Sequence, residues 1–418
     1  MTIQVTTLPN GLRVATDSMP DVPSVSLGCW VGVGTRNEPA DVNGVAHLVE
    51  HMMFKGTERR SAYRISEEIE NVGGQINAYT TREQTAYYVK VLHEDTELAV
   101  DLIGDMLQNS TISDEELTRE RSVVLQEIGQ AADTPDDIIF DHFQTAAYPD
   151  QAVGRPVLGL EEIVEKLDRQ SLVDYVHRNY GASGMVLSAA GRINHDELVD
   201  MASRVFDHLP AGDTPLDEPA RYTGGEFREV RDLEQMHLIL GFDGVGIHDP
   251  DYYAHSVFST LLGGGMSSRL FQEVREKRGL VYSIYSFAGA YRDGGLFGIY
   301  AGTGEDEVEE LIPVICDELT KVCQDVSDDE VARAAAQLRA GTLMAMEGSM
   351  SRCEQLGQQM LVYGRPVPVE EIVAKIGEVD REAVLRVAKR MRDSALTVAA
   401  LGPIGRLESY DRIKARLA

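Results

Sequence analysis

"VSLGCWVGVGTRNEP", Val25 to Pro39, is an apolar run rich in β-favouring residues that passes into a glycine-rich turn. "MHLILGFDGVGIHDP", Met236 to Pro250, has the same design. Each is followed by a segment with helical periodicity, so one structural unit is expected to occur twice in the chain. A second pair supports the repeat. "DLIGDMLQNSTISDEELTRERSVVLQEI" (Asp101 to Ile128) and "PVICDELTKVCQDVSDDEVARAAAQLRAGTL" (Pro313 to Leu343) both read as an amphipathic helix, a Ser-Asp helix start and a second helix. Between the paired stretches lie "GGQINAYTTREQTAYYVKVL" (Gly73 to Leu92) and "LVYSIYSFAGAYRDGGLFGIYAGT" (Leu280 to Thr303), whose Gly, Tyr, Val and Ile in near alternation indicate hairpin strands.

The expected fold is α+β: two homologous domains, each a mostly antiparallel sheet covered by helices. The Pro/Gly/Asp-rich connector "LPAGDTPLDEPARYTGGE", Leu209 to Glu226, lacks either periodicity and sits at mid-chain. It predicts a first domain over 1–210, a linker over 211–226 and a second domain over 227–418. At 418 residues the chain exceeds one ordinary core, which agrees with two domains.

Composition narrows the function. With 43% hydrophobic and 26% charged residues the chain is an ordinary globular one, and no window is apolar enough to span a bilayer. The opening "MTIQVTTLPNGLRV" matches neither a secretory nor an organellar leader, so the cytoplasm is the expected location. Cys29, Cys316, Cys323 and Cys353 form no CxxC pair and read as reduced, buried thiols. A net charge of -29 argues against nucleic-acid binding, and lining a cavity it would attract basic ligands.

The chemistry concentrates in "NGVAHLVEHMMFKGT", Asn43 to Thr57. Asn43-Gly44 gives a helix start. His47 and His51, four apart, then share a helical face with Glu50, where two imidazoles can converge on one ion and a carboxylate can reach a water beside it. Two ordinary histidines on a solvated stripe would give the same pattern. A catalytic metal needs a further protein ligand. "ERSVVLQEI" offers Glu120 and Glu127, seven residues or two helical turns apart on one face, where Glu127 could bind the ion and Glu120 orient a ligand or water from behind, although carboxylates at this spacing are common on any helix. The second half cannot repeat this: setting Ile112 opposite Val326 puts Ala334 opposite Glu120 and Gly341 opposite Glu127, and no H-x-x-E-H is present there.

These residues resemble the inverted zinc-motif metallopeptidases, the family of pitrilysin and insulin-degrading enzyme, and within it the half-length bacterial branch similar to the mitochondrial processing peptidase. "HLVEHMMFKGT" resembles the family's metal helix and "ERSVVLQEI" its downstream ligand helix, while "LVDYVHRNYGASGMVLSAAGRINHDEL" (Leu172 to Leu198) looks like the strand that closes the first domain. The resemblance implies one Zn2+ per chain on His47, His51 and Glu127, with Glu120 behind them and Glu50 as general base on the water that zinc activates. It also implies a peptide-binding edge strand at Asn77, Ala78 and Tyr79, and a substrate-carbonyl-binding pair, Arg275 and Tyr282, from the second half. "LGGGMSSRL" (Leu262 to Leu270) is similar to the glycine-rich loop of the non-catalytic processing-peptidase subunit, but shorter, and it lacks a phosphate-binding Lys-Ser/Thr.

Full-length relatives carry four such domains around a chamber, so this chain implies a partner: a homodimer, or a heterodimer with a homologous subunit. Arg275 and Tyr282 of one subunit would then complete the other's site. The expected substrates are short or unfolded polypeptides, with basic peptides favoured. The rival reading is a non-catalytic structural subunit like the core proteins of respiratory complexes. Those relatives usually have a degraded zinc motif, whereas here every element of it is present.

Overall fold

A computed structural model describes residues 3–212, 215 and 218–418. Asp213, Thr214, Leu216 and Asp217 of the expected linker lie outside the described residues, as do Met1 and Thr2. The chain divides into two compact units, the first comprising residues up to Gly129, Arg155–Glu218 and Met344–Val367, the second Gln130–Gly154, Pro219–Leu343 and the remainder from Pro368.

The first unit contains strands β1 (Ile3–Thr7), β2 (Arg13–Ser18), β3 (Ser24–Val31), β4 (Gln75–Thr80), β5 (Thr85–Leu92) and β6 (Met185–Gly191), in the sheet order β1-β2-β6-β3-β5-β4. Only the β2–β6 pair is parallel. Helices α1 (Val45–Met53), α2 (Ala62–Asn71) and α3 (Thr96–Asn109) come from this part of the chain. They are followed by α4 (Asp114–Ala132), α5 (Pro135–Ala147), α6 (Glu161–Val164), α7 (Arg169–Asn179) and α8 (His195–Val205). One sheet face carries a large core in which Val25, Leu27 and Val89 meet Leu48, Met52, Ile103 and Leu198, all buried.

The second unit contains β7 (Gly225–Val230), β8 (Met236–Asp243), β9 (Val281–Ala290), β10 (Gly295–Thr303) and β11 (Thr397–Gly402), in the order β7-β11-β8-β10-β9. Its one parallel pair is β7–β11. The remaining helices are α9 (Tyr252–Gly263), α10 (Val308–Val322), α11 (Asp328–Ala345), α12 (Ser349–Val362), α13 (Val369–Gly377), α14 (Arg381–Arg392) and α15 (Tyr410–Leu417). Without β1, the first sheet reads β2-β6-β3-β5-β4 and matches the second strand for strand, with the parallel pair in the same place. The repeat seen in the sequence is thus a repeat of topology, and the two α+β domains are homologous in architecture. β3 and β8 are the two stretches whose patterns agree, and both are buried along nearly their whole length.

The units differ from the contiguous division 1–210 and 227–418 by an exchange of one helix each. α12, late in the chain, packs on β2, β3 and β6 of the first sheet, while α5, from the first half, packs on β7, β8 and β11 of the second. Each contact depends on a glycine facing an aromatic ring. A Cβ at Gly357 of α12 would stand 2.5 Å from the buried Trp30 ring, and one at Gly241 of β8 would stand 2.0 Å from Phe143 of α5. Trp30, Ala86, Ala190 and Cys353 form a small second core under α12. All four cysteines are free and buried. No helix is long and apolar enough to cross a membrane.

Candidate metal centre

α1 presents His47, Glu50 and His51 because its other face is committed to the core through Val45, Leu48, Val49 and Met52. Its start falls at Asn43-Gly44 as the sequence indicated, but neither residue's side chain caps it. Gly44 is the N-cap, in a left-handed conformation (φ 96°) with no side chain to cap anything. The cap comes instead from Glu38, buried six residues upstream. Its carboxylate accepts from the N–H of Gly44 (3.0 Å) and of Ala46 (2.7 Å) and from Asn43 Nδ2 (2.8 Å). Burial pushes the Glu38 carboxyl up to about 7 against those three donors. The position of α1 along its axis is therefore set by a side chain with no sequence-local capping signal.

α4 opens on Ser113, whose hydroxyl accepts from the Glu116 N–H at 3.3 Å. Leu117, Glu120 and Val124 form its buried face, and Glu127 continues that row one turn on. His47 Nε2 lies 3.7 Å and His51 Nε2 3.6 Å from Glu127 Oε2. Ligands at zinc-like bond lengths on a tetrahedral ion lie about 3.4 Å apart, so these separations fit an ion at their centre. Burial, with the neighbouring His51, pushes His47 down to about 4, which leaves its ring neutral at pH 7 as a ligand must be. Among the described residues, His47, His51 and Glu127 form the single cluster of three such side chains with converging donor atoms.

Behind the trio, Glu120 Oε2 accepts from His51 Nδ1 at 3.1 Å, while Lys55 Nζ reaches Glu120 Oε1 at 2.7 Å. With Glu120 accepting, the first contact sets the tautomer that leaves the His51 Nε2 lone pair facing Glu127, as a ligand to an ion held there would need. His47 Nδ1 is buried with no hydrogen-bond partner. Glu50 stands beside the cluster, its carboxyl raised by burial, and it accepts a 2.5 Å hydrogen bond from the Thr80 hydroxyl.

β4 is the edge of the first sheet, so one side of its backbone is unpaired. Its side chains alternate. Ile76 and Ala78 pack toward the core shared with α1, and Thr80 reaches Glu50 from the same series. Tyr79 is on the opposite series, where its hydroxyl donates to Glu354 of α12 (3.0 Å) and receives Trp30 Nε1 (3.2 Å) and Gln358 Nε2 (3.3 Å). The Tyr79 ring thus ties the strand down and leaves its backbone for other partners. The Ala78 N–H is covered by the side chain of Asn77, whose Oδ1 accepts from it at 2.9 Å. An open cleft of about 550 Å³ runs along α1, α2 and β4, lined by Glu50, Phe54, Lys55, Ile69, Glu70 and Ile76 among others.

In the second unit, Arg275 lies one residue before the end of a widened helical turn (Phe271–Glu276), and Tyr282 is the second residue of β9, 81% exposed. The Arg275 guanidinium lies 4.7 Å from the Phe271 ring centre and 5.6 Å from that of Tyr282, so the structure brings the expected pair together. Gly263 is the last residue of α9 and Gly264 its C-cap, so the glycine run begins as a helix end. Sequence reasoning assigned no role to Glu38, Lys55 or Thr80. Lys55 follows the metal helix directly, but its partner is 65 residues away and no spacing rule connects them.

The family model for insulinase (peptidase family M16) matches residues 13–161, and that for the peptidase M16 inactive domain matches 166–338. The chain belongs to peptidase family M16. It is 39% identical to an uncharacterized zinc protease of Rickettsia felis over 400 residues, covering 96% of this chain and 97% of that one. It is 40% identical to the mitochondrial-processing peptidase subunit beta of Mus musculus over 425 residues, covering 98% and 86%. Its fold matches a chain of complex III2 from Candida albicans with Inz-5 bound, at a TM-score of 0.90 and 23% identity over the whole of both chains.

Proposed function

We propose that the protein is a zinc metalloendopeptidase that cleaves short or unfolded polypeptides. The observation that carries this reading is the convergence of His47, His51 and Glu127 on one point, with Glu50 beside it and the unpaired edge of β4 in the same unit. Relatives named zinc protease at 39% identity over nearly the full length support it.

When bound, the zinc supplies Lewis acidity to a water and to the scissile carbonyl. Glu50 takes a proton from the water as its oxygen bonds to the scissile carbonyl carbon, then delivers that proton to the amide nitrogen as the C–N bond breaks. β4 holds the substrate as an added strand through backbone hydrogen bonds, which demands an extended peptide and little side-chain identity. Asn77 and Ala78 would contact it directly, the Asn77 amide exchanging its bond to Ala78 for one to the peptide. Tyr79 would contribute main chain only. Arg275 and Tyr282 bind the substrate carbonyl, supplied by a second subunit in a shared chamber, either an identical chain or a homologous one.

Glu50→Gln is expected to lower cleavage of a quenched peptide by about 10³-fold while the purified protein keeps one zinc per chain, and chelation is expected to abolish cleavage in the wild type. A chain that holds no zinc, or a Glu50→Gln variant that cuts as well as wild type, would overturn the reading. The shared chamber is tested by mixing Glu50→Gln with Tyr282→Phe subunits, each inactive alone. Regained activity supports complementation, and none after demonstrated exchange refutes it.

A further inference from the structure

We infer that Thr80 is a positioning residue for Glu50: from the last residue of the edge strand, its hydroxyl holds one carboxylate oxygen of the base. The inference rests on the reading of Glu50 as general base and β4 as the peptide-receiving strand.

The bond runs from Thr80 Oγ1 to Glu50 Oε2 at 2.5 Å, a charge-assisted hydrogen bond between two half-buried groups. It engages one oxygen, and among the described residues Oε1 receives no hydrogen bond. One oxygen is therefore anchored while the other is left to carry the proton. A carboxylate on an otherwise free side chain rotates about its last torsion, and a single donor on Oε2 removes that freedom. The donor is itself stiff. Thr is β-branched with restricted χ1, and Thr80 pairs with Thr85 at the very end of the β4–β5 ladder.

The turn that follows is fixed to the approach to α1. Thr81 N–H donates to Gln84 O (2.8 Å), Thr35 N–H to Thr81 O (3.1 Å) and Arg36 N–H to Arg82 O (2.9 Å). The same approach segment carries Glu38, which seats the first turn of α1. Strand end and α1 thus share one backbone frame, and the Thr80–Glu50 bond joins them directly. A peptide pairing with β4 lies against the strand that aims the base.

The bland alternative is that Thr80 merely fills space at a strand end. Thr80→Val keeps the shape and removes the hydroxyl. The expected result is a kcat reduced at least tenfold, KM within twofold of wild type, and zinc content and Tm unchanged. Thr80→Ser, which keeps the hydroxyl, is expected to stay within threefold of wild-type kcat. A crystal structure of zinc-loaded Thr80→Val is expected to show the Glu50 carboxylate turned from its wild-type plane. If Thr80→Val loses zinc or melts early, Thr80→Ser against Thr80→Ala decides by the same comparison.

Equal kcat for the hydroxyl-bearing and hydroxyl-lacking variants overturns the inference, as does a change confined to KM. Glu50→Gln run in parallel separates the two readings. If it is inactive while Thr80→Val equals wild type, only the role of Thr80 fails. If Glu50→Gln is fully active, the assignment of the base fails first.

Discussion

Glu120 is a carboxylate only 9% exposed in its side chain, with His51 on one oxygen and Lys55 on the other. Burying an anion in this way is tolerable only when both oxygens are satisfied, and here one partner is a candidate metal ligand and the other a cation. Glu120→Ala is expected to weaken zinc binding about 10- to 100-fold, and Lys55→Met by a smaller factor, both read by competition with a chelating dye. Equal zinc affinity in all three proteins would show that the chain from Lys55 through Glu120 to His51 does nothing for the ion. The shared face of His47, Glu50 and His51 was legible in the sequence because a helix makes i, i+3 and i+4 neighbours, whereas the seven-residue spacing put Glu120 and Glu127 on one face and only the resemblance tied them to α1. Lys55, Thr80 and Glu38 were not. Each meets its partner across two elements or around a loop, and nothing periodic records such a meeting.

Among elements, helix starts were read well because capping is local. Ser113 and Ser327 each accept the N–H three residues on, as the Ser-Asp signals predicted. At α11 the bond is reciprocated, with Glu330 Oε2 accepting from the Ser327 N–H at 2.9 Å while Arg269 clasps the same carboxylate. Burial pushes the Glu330 carboxyl up, but Arg269 and Ser327 outweigh it and hold it at about 2. A carboxyl lowered on folding adds stability that is present above its unfolded value of about 4.5 and is lost as pH falls toward 2. After allowance for solvent screening, about 1 kcal/mol is expected to disappear over that window in wild type and to be absent in Glu330→Gln, measured by denaturant titration at each pH. The strand β4 was legible as a strand, and its place at the sheet edge was implied by resemblance alone. The role of the Tyr79 ring was not legible at all, since its partners Glu354 and Gln358 arrive from a helix some 275 residues later in the chain.

For the whole molecule, hydrophobic periodicity shows which face of a helix is buried and leaves open which sheet buries it. That is why a division at mid-chain looked natural and why the exchange of α5 and α12 was invisible. Residues 1–226 made alone would lack α12 and leave Trp30 and Val186 open on the rear of the first sheet, losing about 2 kcal/mol for each large apolar side chain of that interface. That fragment is expected to be insoluble or to lack zinc, and to recover a cooperative melt and metal when coexpressed with residues 227–418. A stable, zinc-loaded fragment on its own would refute the structural need for the exchange. The same helix also sets a schedule for biosynthesis. Every candidate ligand has been synthesised once Glu127 is made, but the helix that closes the rear of their sheet ends at Val362, so at about 5–20 residues per second the nascent first unit waits on the order of ten seconds or more for the helix that covers its aromatic face.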